Sequence, residues 1–273
     1  MNNHRPYIHF LVFWVGTKCS LKCKNCCNLI PYLKQDSYMY EENLKDLEFL
    51  SQNFDIACLQ VQGGEPFTHK MIDQIIYAIG KLNIRKIEIA SNGTILLNNK
   101  VLKALKENPH IYVRFSNYNC VEKRRQKVIE QLDANNISYK IYNFITKESS
   151  WFDWGGVYEE RKDDIATQKI YEKCENKGCR TFINGKMYVC GKAYSINEIY
   201  NTKSRYFADE LDIRFIRKNI IARYFVKIFY FLFIKRLSKF KEQCRYCKIS
   251  EENIPAAIQL NPDELKKFRK VTN

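Results

Sequence analysis

Ile8-His9-Phe10-Leu11-Val12-Phe13-Trp14-Val15 runs directly into Gly16-Thr17-Lys18-Cys19-Ser20-Leu21-Lys22-Cys23-Lys24-Asn25-Cys26. The first eight residues are almost wholly apolar and rich in aromatic and β-branched types, which predicts a buried strand. Immediately after it, Cys19, Cys23 and Cys26 form a C-x3-C-x2-C cluster on one loop. In α/β folds the groups that do chemistry stand at the C-terminal ends of parallel strands, where this loop begins.

Outward from this stretch the pattern alternates. A helix is expected over Glu41–Asn53, then strand Ile56–Val61, helix Met71–Leu82, strand Lys86–Ala90 and helix Lys100–Lys106. Strand Ile111–Phe115, helix Val121–Leu132 and strand Ser138–Ile145 follow. Strands alternating with helices imply right-handed βαβ units and a parallel sheet. The expected fold is α/β, an incomplete (β/α)6 barrel over residues 1–150, with a smaller unit over 151–273. Strand ends lead into Gly63-Gly64-Glu65-Pro66, Ser91-Asn92-Gly93-Thr94 and Ser116-Asn117. Together these loops describe one rim of a ligand site, although each alone suits an ordinary turn.

Past residue 150 the rhythm changes. Trp151–Gly156 is too aromatic for a linker. Asn184-Gly185 between Arg180–Ile183 and Lys186–Val189 signals a hairpin. The C-terminal unit is therefore expected to be a cysteine-rich hairpin with a helix. Residues 203–248 hold 13 Lys/Arg and 4 Asp/Glu, a net charge of +9 out of +15 for the chain. This segment reads as a membrane-surface helix, as a nucleic-acid face, or as a helix with one buried and one solvated basic face. Its apolar run Tyr224–Ile234 is too short to span a bilayer.

Composition excludes a disordered chain, with 45% hydrophobic and 14% aromatic residues among 273. Eleven cysteines are many for this length. The first residues lack the apolar run and cleavage pattern of an export signal, so a reducing cytoplasm is expected. There, clustered thiols favour metal or iron–sulfur ligation, and the odd count stands against a disulfide framework. Three thiolates on one loop hold three irons of a [4Fe–4S] cluster and leave the fourth open to a ligand. Zinc is the rival and needs a fourth ligand.

Lys18–Cys26 after strand one and Gly63–Pro66 after strand two resemble the radical S-adenosylmethionine superfamily over roughly residues 8–145. The resemblance implies that Cys19, Cys23 and Cys26 hold a [4Fe–4S] cluster whose open iron chelates the methionine moiety. Reductive cleavage of the sulfonium then yields a 5′-deoxyadenosyl radical that abstracts a substrate hydrogen. Gly63, Gly64, Glu65 and Pro66 would meet the methionyl amino group, with Glu65 as the charged contact. Ser91, Asn92, Ser116 and Asn117 would face the ribose or carboxylate. Asn25 departs from the aromatic residue usual before the third cysteine. An electron donor such as flavodoxin or ferredoxin is the implied partner.

Cys174, Cys179, Cys190, Cys244 and Cys247 resemble the C-terminal SPASM extension of that superfamily, in its shortened twitch form. One auxiliary [4Fe–4S] cluster is implied, on Cys174, Cys190, Cys244 and Cys247, with Cys179 either replacing Cys174 or spare. A zinc ribbon suits the same cysteines. A closed auxiliary cluster passes electrons, so the expected reaction is dehydrogenation of a carbohydrate or other small metabolite; on the membrane-surface reading of the basic helix, a lipid-linked glycan could reach the site. The alternative is modification of a ribosomally made peptide. The third reading is a non-catalytic, basic metal protein that binds nucleic acid, which leaves Gly63–Pro66 without a purpose. No general base is readable, and of four histidines only His69 lies near a motif loop.

Overall fold

Tyr7–Trp14 forms β1, and from Leu11 onward both of its faces are buried. It lies inside the sheet of the computed structural model, which describes residues 5–143, 149–157, 159–202, 209–248 and 253–271. After it come α1 (Tyr40–Asn53), β2 (Asp55–Gln62), α2 (Ile72–Ile79), β3 (Lys86–Ser91), α3 (Asn99–Glu107), β4 (Ile111–Ser116), α4 (Glu122–Ala134) and β5 (Tyr139–Tyr142). The remaining elements are β6 (Ser150–Phe152), α5 (Asp164–Glu172), β7 (Arg180–Ile183), β8 (Lys186–Tyr188), α6 (Gly191–Tyr200), β9 (Leu211–Asp212), α7 (Ile213–Lys218), α8 (Ile220–Tyr224), α9 (Val226–Arg236), β10 (Asn253–Pro255) and α10 (Pro262–Val271).

Strands β1 to β5 pair in parallel, as the alternation of strands and helices requires. The strand expected over Ser138–Ile145 is shorter, ending at Tyr142, and Ile145 lies outside the described residues. One face of the sheet carries Leu11, Phe13, Leu59, Val61, Ile87 and Ile89 into a core closed by Leu47, Leu50, Ile75 and Ile76 of α1 and α2. Each such side chain, fully buried, contributes about 1.5–3 kcal/mol relative to exposure.

The other face is apolar only near β1, where Val12 and Trp14 pack with Ile183 and Tyr188. Toward β4 it turns polar. Gln60 Nε2 donates to buried Glu88 at 2.5 Å, the Tyr112 hydroxyl donates to the same carboxylate, and Lys86 lies 3.2 Å from it. A carboxylate can stay in a sheet interior when donors satisfy its oxygens in this way.

Among the described residues no sixth parallel βα unit follows β5, so of the incomplete (β/α)6 barrel the sheet shows five parallel units. Instead β6 pairs antiparallel with β10 in a separate two-stranded ribbon. The free edge of β1 is taken by β7, which runs parallel to it with Leu11 opposite Arg180 and Trp14 opposite Ile183. β8 and β9 continue antiparallel, giving an eight-stranded mixed sheet in the order β5-β4-β3-β2-β1-β7-β8-β9, consistent with a partial barrel. The physical reason is that a β1 buried on both faces needs partners for its backbone groups on both edges. Asn184 (φ 43°) and Gly185 (φ 91°) make the turn between β7 and β8, both in the left-handed region that a two-residue hairpin demands.

Helix α7 is tied to α1 by charge. Arg214 and Arg217 place their Nε atoms 2.9 and 2.6 Å from the carboxylate of fully buried Asp46.

Candidate active site

The cysteine loop leaves β1 and is held by the loop that leaves β2. Gly64 N donates to Gly16 O at 3.0 Å, and Glu65 N donates to Lys18 O at 2.7 Å. The two loops lie so close that a Cβ on Gly63 would stand 2.1 Å from Gly16 O, and one on Gly64 2.0 Å from Lys18 O. Gly63 also has φ 134°. The two glycines are required here by backbone contact, and the polypeptide of the cysteine loop is what they touch.

Glu65 is buried and does not line the cavity described below. Its carboxylate accepts from Asn92 N at 2.7 Å, Ser91 Oγ at 3.0 Å and Phe67 N at 3.2 Å. Burial lifts this carboxyl to about 7, against the three donors, which pull it down. Its place is therefore between the β2 and β3 loops, where it fixes Ser91 and Asn92. Asn92 in turn reaches the cysteine loop, donating from Nδ2 to Ser20 Oγ at 3.1 Å and toward Cys19 Sγ at 3.7 Å. Pro66 is buried at the start of a short 3-10 turn. Asn117 accepts from Arg125 Nη2 at 2.8 Å and donates to Asn143 at 2.7 Å, outside the cavity wall. His69 is structural: its Nδ1 accepts from Met71 N, and Nε2 lies 3.1 Å from Tyr38 O.

A cavity of about 140 Å³ opens at these strand ends. Cys19, Cys23, Cys26, Gly63, Gly64, Ser91, Asn92 and Ser116 all line it, so the sequence-derived candidates from four separate loops converge. Trp151, Phe152 and Trp154 complete its wall. Sequence reasoning missed Gln60, Gln62, Arg114 and Tyr118. The available signal was polar residues inside otherwise apolar strands: Gln60 and Gln62 in β2, and Arg114 in β4.

The far end of the chain also reaches the site. Leu260 N donates to Lys22 O at 2.7 Å, and Lys24 N donates to Ile258 O at 2.8 Å. Gln259 accepts from Lys22 N at 2.7 Å and donates from Nε2 toward Cys23 Sγ at 3.5 Å. Ala257, fully buried, packs with Leu21, Cys23 and Val121. No motif in the sequence signals this crossing.

A second cavity, of about 330 Å³, is lined by Cys174, Cys179, Cys190, Cys244 and Cys247. It adjoins the first: Cys27, Gln60, Gln62, Arg114, Phe152 and Trp154 line both. Burial pushes the Cys190 thiol well up, and Cys247, Cys244 and Cys174 push it further. Cys179 acts on the Cys174 thiol and not on Cys190, and its own thiol points to Asn176 Oδ1 at 3.9 Å.

The donors fit an iron–sulfur group in the first cavity. Burial pushes the Cys19 and Cys26 thiols up to about 12 and raises Cys23 as well. Without a cation these thiols keep their protons, and iron at the site takes the protons' place. Among the described residues no three His, Cys, Asp or Glu side chains converge closely enough to hold a single metal ion.

Residues 15–119 match the family model of the radical SAM superfamily. The chain is 25% identical over 230 residues to a protein of Methanocaldococcus jannaschii named "Probable GTP 3′,8-cyclase", covering 74% of each. It is 31% identical over 96 residues to the GTP 3′,8-cyclase of a Synechocystis species, covering 33% of this chain and 28% of that protein. The chain thus spans three quarters of the first relative and less than half of the others. In fold it is similar to BtrN in complex with AdoMet and 2-DOIA, with a TM-score of 0.51 and 15% identity over 93% of this chain and all of that one. Streptococcus suis SuiB bound to S-adenosylmethionine aligns over 53% of this chain and 35% of that one, at 20% identity and a TM-score of 0.45. Three loop cysteines and the Gly63–Pro66 loop thus meet at one cavity inside residues 15–119, the span that matches the radical SAM superfamily model.

Proposed function

We propose that this chain is a radical S-adenosylmethionine enzyme that abstracts a hydrogen atom from a substrate seated beside both cysteine-lined cavities, and that an iron–sulfur cluster held by the second cysteine set would take up the remaining electron as the substrate radical releases a proton to solvent. The carrying observation is that Cys27, Gln60, Gln62, Arg114, Phe152 and Trp154 line both cavities, so the two cysteine sets stand on either side of one shared wall. On this reading Cys19, Cys23 and Cys26 hold a [4Fe–4S] cluster, which supplies the electron that cleaves S-adenosylmethionine to a 5′-deoxyadenosyl radical. Gly63, Gly64, Ser91, Asn92 and Ser116 shape the space for S-adenosylmethionine. Glu65, Pro66 and Asn117 act one layer back, Glu65 by holding Ser91 and Asn92. Cys174, Cys190, Cys244 and Cys247 form the second ligand set, supported by their mutual proximity, with Cys179 aside. A small soluble electron carrier is the expected donor.

A peptide side chain is the substrate class that the rim favours. The β6–β10 ribbon stands beside the cavity and pairs with no third strand among the described residues. Such an edge accepts an extended peptide through backbone hydrogen bonds. A small metabolite is the second reading, supported by the modest volume of the first cavity and by the similarity to proteins named for a cyclisation of GTP.

Anaerobic reconstitution tests the reading. Wild type is expected to hold about eight irons, and the Cys19/Cys23/Cys26→Ala and Cys190/Cys244/Cys247→Ala variants about four each. With dithionite, 5′-deoxyadenosine should form in wild type and vanish in the first variant. About four irons in wild type and none in the first variant would remove the second cluster and its electron-accepting role.

A further inference from the structure

Residues 213–241 contain nine Lys/Arg and not one Asp or Glu. Of the sequence readings for this segment, the helix with a solvated basic face describes only half of what is seen. Val226, Tyr230 and Phe233 of α9 are buried, and Tyr230 meets Phe54 edge-on with ring centroids 4.7 Å apart. The opposite face is apolar too. Ile221 is 70% exposed, Tyr224 83%, Ile228 54% and Phe231 63%. Ile221 and Tyr224 stand three residues apart on α8, and Ile228 and Phe231 three apart on α9, so each helix presents an exposed apolar pair. Ile220 and Phe225 stand out beside them.

The charges beside these pairs point one way. Arg214, Arg217, Lys218, Arg236 and Lys241 are spent on Asp46, Glu42 and Asp209 within the protein. Arg223, Lys227, Lys235 and Lys239 form no ion pair among the described residues. Protruding Ile, Phe and Tyr side chains bordered by cations, with no carboxylate among them, are the chemistry of a helix lying in a lipid interface. No described helix is long and apolar enough to cross a membrane.

We propose that the Ile221–Tyr224–Ile228–Phe231 face docks on the surface of a membrane containing anionic lipid. The buried side of α9 covers the entry end of the sheet, where Tyr230 OH donates to Tyr7 O at 3.5 Å at the start of β1. The cysteine loop leaves the other end of that strand. Docking therefore leaves the mouth of the site facing away from the lipid, and the substrate arrives from the aqueous side.

The full-length reconstituted protein is to be sedimented with phosphatidylcholine vesicles, with and without phosphatidylglycerol. Wild type should sediment with the anionic vesicles, and added salt should weaken the binding. Ile228→Asp/Phe231→Asp should lower the bound fraction about tenfold while 5′-deoxyadenosine formation stays unchanged. Lys227→Glu/Lys235→Glu, which leaves both apolar pairs whole, should also bind more weakly. Absence of wild-type binding, or equal binding by the apolar-face variant, overturns the proposal. So does a concentration-dependent dimer that the apolar-face variant abolishes without any vesicle binding, which would assign the face to a second copy of the chain.

Discussion

At the scale of single residues, Gly64 and Glu65 show how a loop that serves a ligand is first a loop that serves its neighbour. A methyl group on Gly64 would overlap Lys18 O, a backbone atom between a strand and the cysteine loop that cannot swing aside. Gly64→Ala is expected to cost about 2–4 kcal/mol, in the range of overpacked or strained sites. Urea denaturation of the apoprotein measures it, and iron incorporation should fall with it because the cysteine loop must shift. Glu65 carries a pH signature. Its folded carboxyl, lifted to about 7 by burial, is compared with an unfolded value of roughly 4.3. The folded state therefore keeps a proton that the unfolded state has released between those values. The stability this contributes is fully present below roughly 4.3 and is lost as pH rises through about 7. Urea midpoints of the apoprotein should fall more steeply between pH 5 and 8 in wild type than in Glu65→Gln, which cannot ionise. Equal slopes would place the pH response in another group.

At the scale of elements, the deciding event is the capture of β1's free edge by β7. Alternating strands and helices fix β1 to β5 from the chain alone, because each unit is local and its apolar period is unambiguous. The partner of the other edge is not local: Leu11 meets Arg180 across more than 160 residues, and nothing in either strand names the other. The hairpin itself was readable from Asn184-Gly185, while its place in the sheet was not. The candidate site divides the same way. Cysteines and glycines that announce themselves by spacing line the cavity, but Gln60, Gln62 and Arg114 enter through their side of a strand, visible only once the sheet is assembled. The antiparallel continuation through β8 and β9 is clamped by α7 on α1, and Asp46 is the centre of that clamp. Asp46→Ala leaves Arg214 and Arg217 without their buried counter-charge. The expected loss is about 3–5 kcal/mol, as for other broken buried pairs. Asp46→Asn, which keeps hydrogen-bond acceptors, should lose less. Equal losses would mean that shape, and not charge, holds α7.

At the scale of the whole molecule, the chain's C-terminal portion closes over its N-terminal chemistry. Residues 253–266 pair with β6, cross the cysteine loop through Lys22 and Lys24, and anchor by the Lys24–Glu264 ion pair at 2.8 Å. That exposed pair adds little by itself. The contact with consequence is Gln259, whose amide sits on the sulfur of Cys23 while its oxygen holds Lys22 N. Hydrogen bonds to cluster sulfurs and exclusion of water both set reduction potentials. Gln259→Leu keeps the bulk of the side chain and removes its polar contacts to Cys23 Sγ, Lys22 N and Ala257 O. The cluster proposed on Cys19, Cys23 and Cys26 should then have a more negative midpoint potential in an EPR-monitored titration, because the N–H that stabilises the added electron is gone. Iron content should remain at the wild-type value, since no ligand is lost, while a chelator should strip the cluster faster once Lys22 N is released. Gln259→Glu separates the two effects: it keeps an acceptor for Lys22 N but offers no N–H to the sulfur when ionised. It should reproduce the shift in potential and leave the chelation rate near wild type. A potential unchanged in both variants would show that the crossing only covers the loop, and that the cluster's electronics are set on the Asn92 side.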